Sequence, residues 1–119
     1  MKNQKDNINL AIIGLGYVGL PLLLEFAKKR KVIGFDINDQ RIKELKAGID
    51  KNKEFKKEEL KNISSLLFTN DQDDIKFSNY YIITVPTPVD SLNKPDIEAL
   101  RMASKIVGSL LKKKDVVIY

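Results

Sequence analysis

The chain of 119 residues contains no cysteine and no histidine. Without cysteine the sequence can form no disulfide bond, no thiolate metal site and no cysteine nucleophile. Without histidine it lacks the commonest general base and the commonest metal ligand. We therefore predict no catalytic residue and no metal site within this chain.

Long apolar runs are also absent. No segment approaches the ~18 apolar residues that indicate a membrane span, and residues 1–7 are polar, without the apolar core of a signal peptide. We therefore expect a cytoplasmic protein with no membrane partner. The length suits one domain and is too short for two, so we predict a polar leader over residues 1–7 and a single domain over residues 8–119.

The formal charge is +5, and lysine clusters at residues 28–31 and 112–114 carry much of the excess. Nucleic-acid binding is one interpretation, but no interleaved aromatic residues or nucleic-acid motif accompany the charge. Both clusters fall where helices are predicted to end, and cations are favoured there by the helix dipole. We expect no nucleic-acid partner and only a mild attraction for anionic ligands.

A glycine-rich turn follows the first apolar segment. Gly14, Gly16 and Gly19 have the spacing Gly-x-Gly-x-x-Gly, and a second apolar segment follows them. In dinucleotide-binding folds the first glycine permits a tight turn, the second lets a pyrophosphate approach the backbone, and the third lets the helix pack closely. The amides of Tyr17 and Val18 would face the phosphates at the helix N-terminus. This pattern predicts a dinucleotide site.

The remaining chain alternates strands and helices. We predict strands at 8–13, 31–35, 66–69, 80–85 and 116–119, and helices at 17–30, from 38 or 39 to about 48, at 57–61 and at 96–112. The second of these helices is expected to carry Ile42, Leu45 and Ile49 on one side. Alternation over this length indicates an α/β fold with a parallel sheet covered by helices on both faces. Right-handed crossovers favour a Rossmann-type, doubly wound sheet in the order 3-2-1-4-5. The ligand then lies beyond strands one and four.

The second predicted strand ends on Asp36, about twenty residues after the first glycine, as expected of a ribose-binding carboxylate. Its charge would repel a 2′-phosphate, which favours NAD over NADP. Asp36 could instead merely cap the following helix. Arg41 complicates the choice because an arginine near this point can accept a 2′-phosphate. We interpret Arg41 as covering the ribose or adenine, with an ordinary solvated helix arginine as the alternative.

Two further segments have competing interpretations. The acidic residues in 70–74 could resemble a carboxylate metal cluster, but capping and filling the first turn of a short helix is the interpretation we favour. The proline-rich residues 86–95 cannot continue a central strand and are predicted to form a loop. Thr84, at the end of the fourth predicted strand, and Thr87, in the loop, flank residues 85–86 and are candidate cofactor contacts. Thr87 is the better candidate because Thr84 could be an ordinary strand residue.

With these residues identified, the sequence resembles a known family. The segments Ile-Gly-Leu-Gly-Tyr-Val-Gly-Leu-Pro-Leu (13–22), Gly-Phe-Asp-Ile (34–37), Thr-Val-Pro-Thr-Pro-Val-Asp (84–90) and Lys-Pro-Asp (94–96) look like the amino-terminal domain of the UDP-glucose/GDP-mannose dehydrogenase family. The proline-rich loop is most similar to the branch acting on UDP-N-acetylhexosamines, which supplies uronic acids for capsule and O-antigen sugars. The resemblance covers residues 8–119.

This resemblance implies a function for the site. Positions matching Val18, Asp36, Arg41 and Thr87 are NAD contacts in the family, whose members oxidise the sugar C6 alcohol to a carboxylate with two NAD⁺. The family's catalytic cysteine, sugar-binding domain and dimer-forming helix lie beyond the part matching this chain. We therefore expect the 119 residues alone to bind NAD weakly and to lack dehydrogenase activity, and the full-length protein to be a homodimer acting on a UDP-sugar.

Two alternatives remain from the sequence. A β-hydroxyacid dehydrogenase also begins with an apolar strand and a glycine-rich turn, but Tyr17 and the loop at 84–90 argue against it. A non-catalytic NAD-binding module would account for the missing catalytic residues.

Overall fold

The structure, a computed structural model, describes residues 7–119. The predicted polar leader falls outside the described residues except for Asn7, whose carbonyl accepts a 2.6 Å hydrogen bond from Asn79 Nδ2.

Strands and helices alternate along the chain, as predicted. The strands are β1 (Leu10–Ile13), β2 (Val32–Phe35), β3 (Leu66–Thr69), β4 (Tyr80–Ile83) and β5 (Val116–Ile118). The helices are α1 (Gly19–Ala27), α2 (Asp39–Lys46), α3 (Lys57–Leu60) and α4 (Glu98–Leu110). Each element is as long as predicted or shorter, because the predicted ends include turn residues.

The five strands form one sheet in the order β3-β2-β1-β4-β5, and every neighbouring pair is parallel. This confirms the predicted Rossmann-type, doubly wound fold. Strand β1 pairs on both sides, with Leu10 opposite Val32 on one neighbour and Tyr80 on the other. A central strand covered on both faces has no solvent side, and this explains why β1 is apolar without alternation.

Successive residues of β1 point into two separate cores. Leu10 and Ile12 belong to the core under α1 and α2, whereas Ala11 and Ile13 belong to the core under α4. Helix α4 contributes Ala103, which is buried. The helices therefore cover both faces of the sheet, and the strand ends are left free to carry loops.

The predicted apolar face of the second helix is wrong at one position. Ile42 and Leu45 are buried as expected, but Ile49 lies outside the helix and is 55% exposed. The helix ends at Lys46 and the chain turns at Gly48, which has φ +81°. This left-handed conformation is typical of the residue after a helix C-terminus, and it turns Ile49 away from the core.

Residues 84–97 leave the carboxyl end of β4 as an exposed loop, as the prolines predicted. Val89 and Pro95 form an isolated antiparallel bridge, so the loop is a short hairpin. Asp90 closes its tip by accepting hydrogen bonds from the amides of Leu92 and Lys94. The hairpin begins beside the loops that follow β1 and β2.

Candidate functional site

A cleft of about 320 Å³ lies at the carboxyl edge of the sheet, between β1, β2 and β4. Ligands of doubly wound folds bind at this edge, where the strand order reverses. Four predicted site residues line the cleft, namely Gly14, Gly16, Asp36 and Arg41. Its opposite wall is formed by the apolar residues Val85, Pro86, Ala99, Ala103 and Ile106. The cleft therefore combines a polar side with an apolar side that suits a planar base.

The glycine-rich turn is held tightly between β1 and α1. Gly14 has φ +102°, a conformation that favours glycine, and its amide donates to the Phe35 carbonyl at 2.8 Å. A Cβ atom on Gly19 would overlap the Gly14 carbonyl oxygen and come within 2.5 Å of the Thr84 hydroxyl. Close packing at Gly19 therefore brings the start of α1 onto the turn itself.

The second glycine differs from the other two. A Cβ atom on Gly16 would meet nothing within 4 Å in the protein, so packing within the chain does not explain this glycine. Tyr17 and Val18 beside it are 68% and 66% exposed. Within residues 7–119 the backbone offers no acceptor to the amides of Gly16, Tyr17 or Val18. Open space and free amides at a helix N-terminus fit a pyrophosphate group.

Asp36 faces the glycine-rich turn rather than capping a helix. Its Oδ2 accepts from the Leu15 amide at 2.9 Å and its Oδ1 accepts from the Asn38 amide at 2.9 Å. The cap of α2 is Asn38, whose side chain accepts from the Arg41 amide. The alternative that Asp36 caps α2 is therefore wrong. Both carboxylate oxygens retain lone pairs, which could accept from ribose hydroxyls.

Arg41 is not a solvated helix arginine, so that alternative is also wrong. Only 10% of its side chain is exposed. Its Nε donates to the Leu15 carbonyl at 2.8 Å, and its Nη1 forms a 2.9 Å ion pair with Asp50 Oδ1. Arg41 therefore lines the cleft while holding the glycine-rich turn.

Asp50 was not predicted as a functional residue. Its side chain is fully buried and also accepts from the amides of Asn52, Glu54 and Phe55. Burial opposes its charge, but the hydrogen bonds from Arg41 and these amides outweigh that effect and hold the pKa of Asp50 below its ordinary value of 3.8. Sequence offers no signal for this role because residues 50–64 contain several acids in a charged, aperiodic segment.

The two threonines lie in different environments. The Thr84 hydroxyl donates to the Gly14 carbonyl at 2.7 Å, so Thr84 stabilises the glycine-rich turn. Thr87 is exposed in the hairpin and does not line the cleft. The structure thus brings Thr84 to the turn and leaves Thr87 outside the cleft.

The acidic segment 70–74 has the favoured, structural role. Gln72–Asp74 form a 3₁₀ turn, and the Asp71 side chain caps it by accepting from the Asp73 amide at 2.9 Å. Across residues 7–119, no cluster of three or more acidic, histidine or cysteine side chains has the geometry of a metal site. Over the same residues, no helix combines the length and apolar character needed to cross a membrane.

NAD fits this arrangement. Gly16 and the free amides would hold the pyrophosphate, Asp36 would accept from the adenosine ribose, and the apolar wall at Val85 would contact the adenine. When bound, NAD⁺ supplies a hydride acceptor. The residues of this chain would bind and orient it.

Comparisons with known proteins agree with the geometry. The NAD binding domain of the UDP-glucose/GDP-mannose dehydrogenase family matches residues 8–119. A UDP-N-acetyl-D-glucosamine 6-dehydrogenase from Salmonella typhi is 52% identical over 114 residues, which are 96% of this chain and 27% of that protein. Protein CapL from Staphylococcus aureus is 47% identical over 113 residues, 95% of this chain and 26% of the relative.

Solved structures give the same result. A UDP-D-ManNAc dehydrogenase from Pyrococcus horikoshii superposes with a TM-score of 0.83 at 32% identity, covering 92% of this chain and 27% of that one. The chain thus spans about a quarter of the length of the relatives it matches. The family match decides against the β-hydroxyacid dehydrogenase alternative. This chain belongs to the UDP-glucose/GDP-mannose dehydrogenase family, of which it is the NAD-binding domain.

Proposed function

We propose that this chain is the cofactor-binding part of a nucleotide-sugar 6-dehydrogenase that acts on a UDP-N-acetylhexosamine. The observation that carries the proposal is the cleft, where the free amides around Gly16 and the carboxylate of Asp36 meet at one strand edge. The 52% identity to UDP-N-acetyl-D-glucosamine 6-dehydrogenases supports the substrate class.

The predicted cofactor contacts in this proposal are Gly14, Gly16, Tyr17, Val18, Gly19, Asp36, Arg41 and Thr84. Thr87 lies outside the cleft and stays a prediction from the family resemblance. Oxidation of a C6 alcohol to a carboxylate removes four electrons, so two NAD⁺ each accept one hydride. The chain has no cysteine or histidine, so we assign it cofactor binding and place the chemistry on sugar in the remainder of a longer protein. Alone, the 119 residues would bind NAD weakly and produce no uronic acid.

The cellular setting is part of the same proposal. Both NAD⁺ and UDP-sugars are cytoplasmic metabolites, so we place the protein in the cytoplasm. A role in capsule or O-antigen synthesis and a homodimeric full-length protein follow from the family resemblance.

A chimeric enzyme tests the proposal. This chain would replace the matching 114 residues of the Salmonella typhi dehydrogenase, and NADH formation would be followed with UDP-N-acetylglucosamine and UDP-glucose. We expect NAD⁺-dependent oxidation, with UDP-N-acetylglucosamine preferred. A folded chimera that forms no NADH would contradict the proposal and favour the non-catalytic NAD-binding module.

A matched variant shows whether the cleft is responsible. Gly16→Val should abolish cofactor binding because its side chain would fill the space assigned to the pyrophosphate. The same variant should fold normally, since a Cβ at Gly16 meets no protein atom within 4 Å. Calorimetric titration of the 119-residue chain with NAD⁺ measures the first effect, and thermal unfolding measures the second. Turnover of a UDP-sugar by the 119 residues alone would contradict the assignment of sugar oxidation to the remainder of a longer protein.

A further inference from the structure

The peptide groups of Leu15 are held from two sides. Its amide donates to Asp36 Oδ2 at 2.9 Å, and its carbonyl accepts from Arg41 Nε at 2.8 Å. Leu15 lies between Gly14 and Gly16, so these bonds fix the middle of the glycine-rich turn. They also place a carboxylate and a guanidinium on neighbouring groups of one residue, beside the cleft.

The guanidinium is held in place by a partner that does not line the cleft. Asp50 binds Arg41 Nη1 at 2.9 Å, and the Asp50 side chain has no exposed surface. Three backbone amides also donate to Asp50 and fix its carboxylate independently of Arg41. Asp50 is thus a rigid anchor for a longer and more flexible side chain.

The anchoring of Arg41 is incomplete. Its Nη2 is buried and finds no acceptor among residues 7–119, and Oε2 of Glu44, which also lines the cleft, is likewise buried without a donor. An arginine with two of its three nitrogens occupied stays in place only while those two contacts persist. Loss of Asp50 would leave one contact, to the Leu15 carbonyl.

We propose that Asp50 is a positioning residue that sets the preference for NAD over NADP. By pairing with Arg41, Asp50 keeps the guanidinium on the turn and neutralises the cation that shares the Leu15 peptide groups with Asp36. A 2′-phosphate entering at Asp36 then meets a carboxylate, while Lys51, the other cation of the cleft lining, lies 4.0 Å from Glu44 Oε1. The proposal rests on the proposed NAD site and adds a residue that does not touch the cofactor.

The charges around Leu15 give the direction of the effect. Asp36, Arg41 and Asp50 together carry a net charge of −1, and Asp50→Asn would raise it to zero while releasing the guanidinium. An arginine at this position can accept a 2′-phosphate in related folds. Removing the unit negative charge of Asp50 is therefore expected to relax the discrimination against NADP⁺ roughly tenfold.

The test is a titration of the 119-residue chain and its Asp50→Asn variant with NAD⁺ and with NADP⁺. The measured quantity is the NADP⁺ dissociation constant divided by that of NAD⁺. We expect Asp50→Asn to lower this ratio roughly tenfold. A purely structural role for Asp50 would weaken both cofactors equally and leave the ratio unchanged, which would overturn the proposal.

Asp115→Asn is the matched control. Asp115 is also buried and paired, since 4% of its side chain is exposed and its Oδ2 lies 3.1 Å from Lys112 Nζ. It lies at the start of β5, outside the cleft lining. This variant should keep the wild-type ratio, and an equal fall in the control would also contradict the proposal.

The outcomes separate the two proposals. A wild-type chain that binds neither cofactor overturns the proposed function and this inference with it. A wild-type chain that prefers NAD⁺, together with an unchanged ratio in Asp50→Asn, overturns only the inference. If Asp50→Asn does not fold, Arg41→Met replaces it. That variant leaves the Asp50 charge without its cation and should raise the ratio, and an unchanged ratio overturns the inference.

Discussion

The two sides of the carboxyl edge are stabilised in different ways. On the β2 side, Asp36, Arg41 and Asp50 connect segments that are far apart in the sequence, and the Arg41–Asp50 pair is buried. On the β4 side, the hairpin of residues 84–97 is held mainly by its own bonds, and Val89 and Leu92 are 64% and 73% exposed. Tertiary contacts thus preorganise the side assigned to the adenosine ribose, whereas local contacts shape the hairpin.

This difference predicts where substitutions are costly. A change in the β2 side breaks contacts between several segments and removes buried polar partners. A change in the hairpin removes a contact that water can replace. The following four predictions test this contrast, from the largest expected effect to the smallest.

Gly19→Ala should have the largest effect. The added Cβ would overlap the Gly14 carbonyl oxygen, a backbone atom fixed by the turn. We expect the free energy of unfolding to fall by about 3 kcal/mol or more, since overpacking against backbone cannot be relieved by a rotamer change. Urea unfolding followed by circular dichroism measures it.

Gly108→Ala is the control for Gly19→Ala. Gly108 lies within α4, and a Cβ there would meet nothing within 4 Å. Alanine is favoured over glycine in a helix interior, so this variant should be more stable by about 0.5–1 kcal/mol. Similar losses in both variants would show that glycine substitution as such, rather than the turn, determines the result.

Asp50→Asn should have the next largest effect. We expect the free energy of unfolding to fall by about 3 kcal/mol, because the substitution leaves the buried Arg41 charge without its partner. Asp115→Asn should cost less, since Lys112 is 51% exposed and water can replace its partner. Urea titrations of both variants at neutral pH measure the difference. Equal losses would show that the burial of Arg41 adds nothing to the cost of removing its carboxylate partner.

Asp50→Asn should also change how the stability of the chain depends on pH. The pKa of Asp50 is lower in the folded chain than its ordinary value of 3.8. Its contribution to stability is therefore present above that value and is lost as the pH falls through the folded-state pKa. The wild type should lose stability more steeply than Asp50→Asn below about pH 4. Parallel acid-unfolding curves would contradict the assignment.

Tyr81→Phe should lower the free energy of unfolding by about 1 kcal/mol, the usual contribution of one buried hydrogen bond. The Tyr81 hydroxyl donates to the Ile75 carbonyl at 3.1 Å in the core under α4. Burial raises the pKa of Tyr81, and the Asp115 charge adds to this. The wild type should therefore lose stability as the pH rises above about 10 through the folded-state pKa, whereas Tyr81→Phe should not show this loss. Thermal unfolding across that pH range is the measurement.

Leu92→Ser in the hairpin should have the smallest effect. The free energy of unfolding should change by no more than about 0.5 kcal/mol, because the Leu92 side chain is already exposed. Limited proteolysis should cut this hairpin before any segment of the β2 side, since exposed loop tips are preferred cleavage sites. First cleavage within residues 48–56 would show instead that the Asp50 loop is the less stable region.

Much of the fold was predictable because its signals are local. The apolar run of β1 predicted a strand buried on both faces, and the prolines of residues 86–95 predicted an exposed loop. The end of α2 was missed at Ile49 because the left-handed turn at Gly48 moved that residue out of the helix. Strand β4 is shorter than predicted because Thr84 continues the β-branched pattern but its hydroxyl bonds to the glycine-rich turn.

Site residues were predictable to different degrees. The spacing of the glycines follows from the tight turn, and the offset of Asp36 follows from strand length. Gly14, Gly16 and Asp36 therefore line the cleft as predicted. Arg41 was placed near the cofactor, but its burial could not be deduced, since charged helix residues are usually solvated. Asp50 had no detectable signal, because its partners come from α2 and from amides of its own loop.

By itself the sequence determined the alternation of strands and helices, the glycine-rich turn and the absence of cysteine and histidine chemistry. These depend on periodicity, on conformations that favour glycine and on composition, which are properties of short segments. Only the tertiary structure decided that Asp36 and Arg41 hold the two sides of Leu15, that Thr84 stabilises Gly14, and that Asp50 fixes Arg41. Hydrogen bonds of this kind require the sheet to be assembled first, since their donors and acceptors are brought together by strand pairing and helix packing.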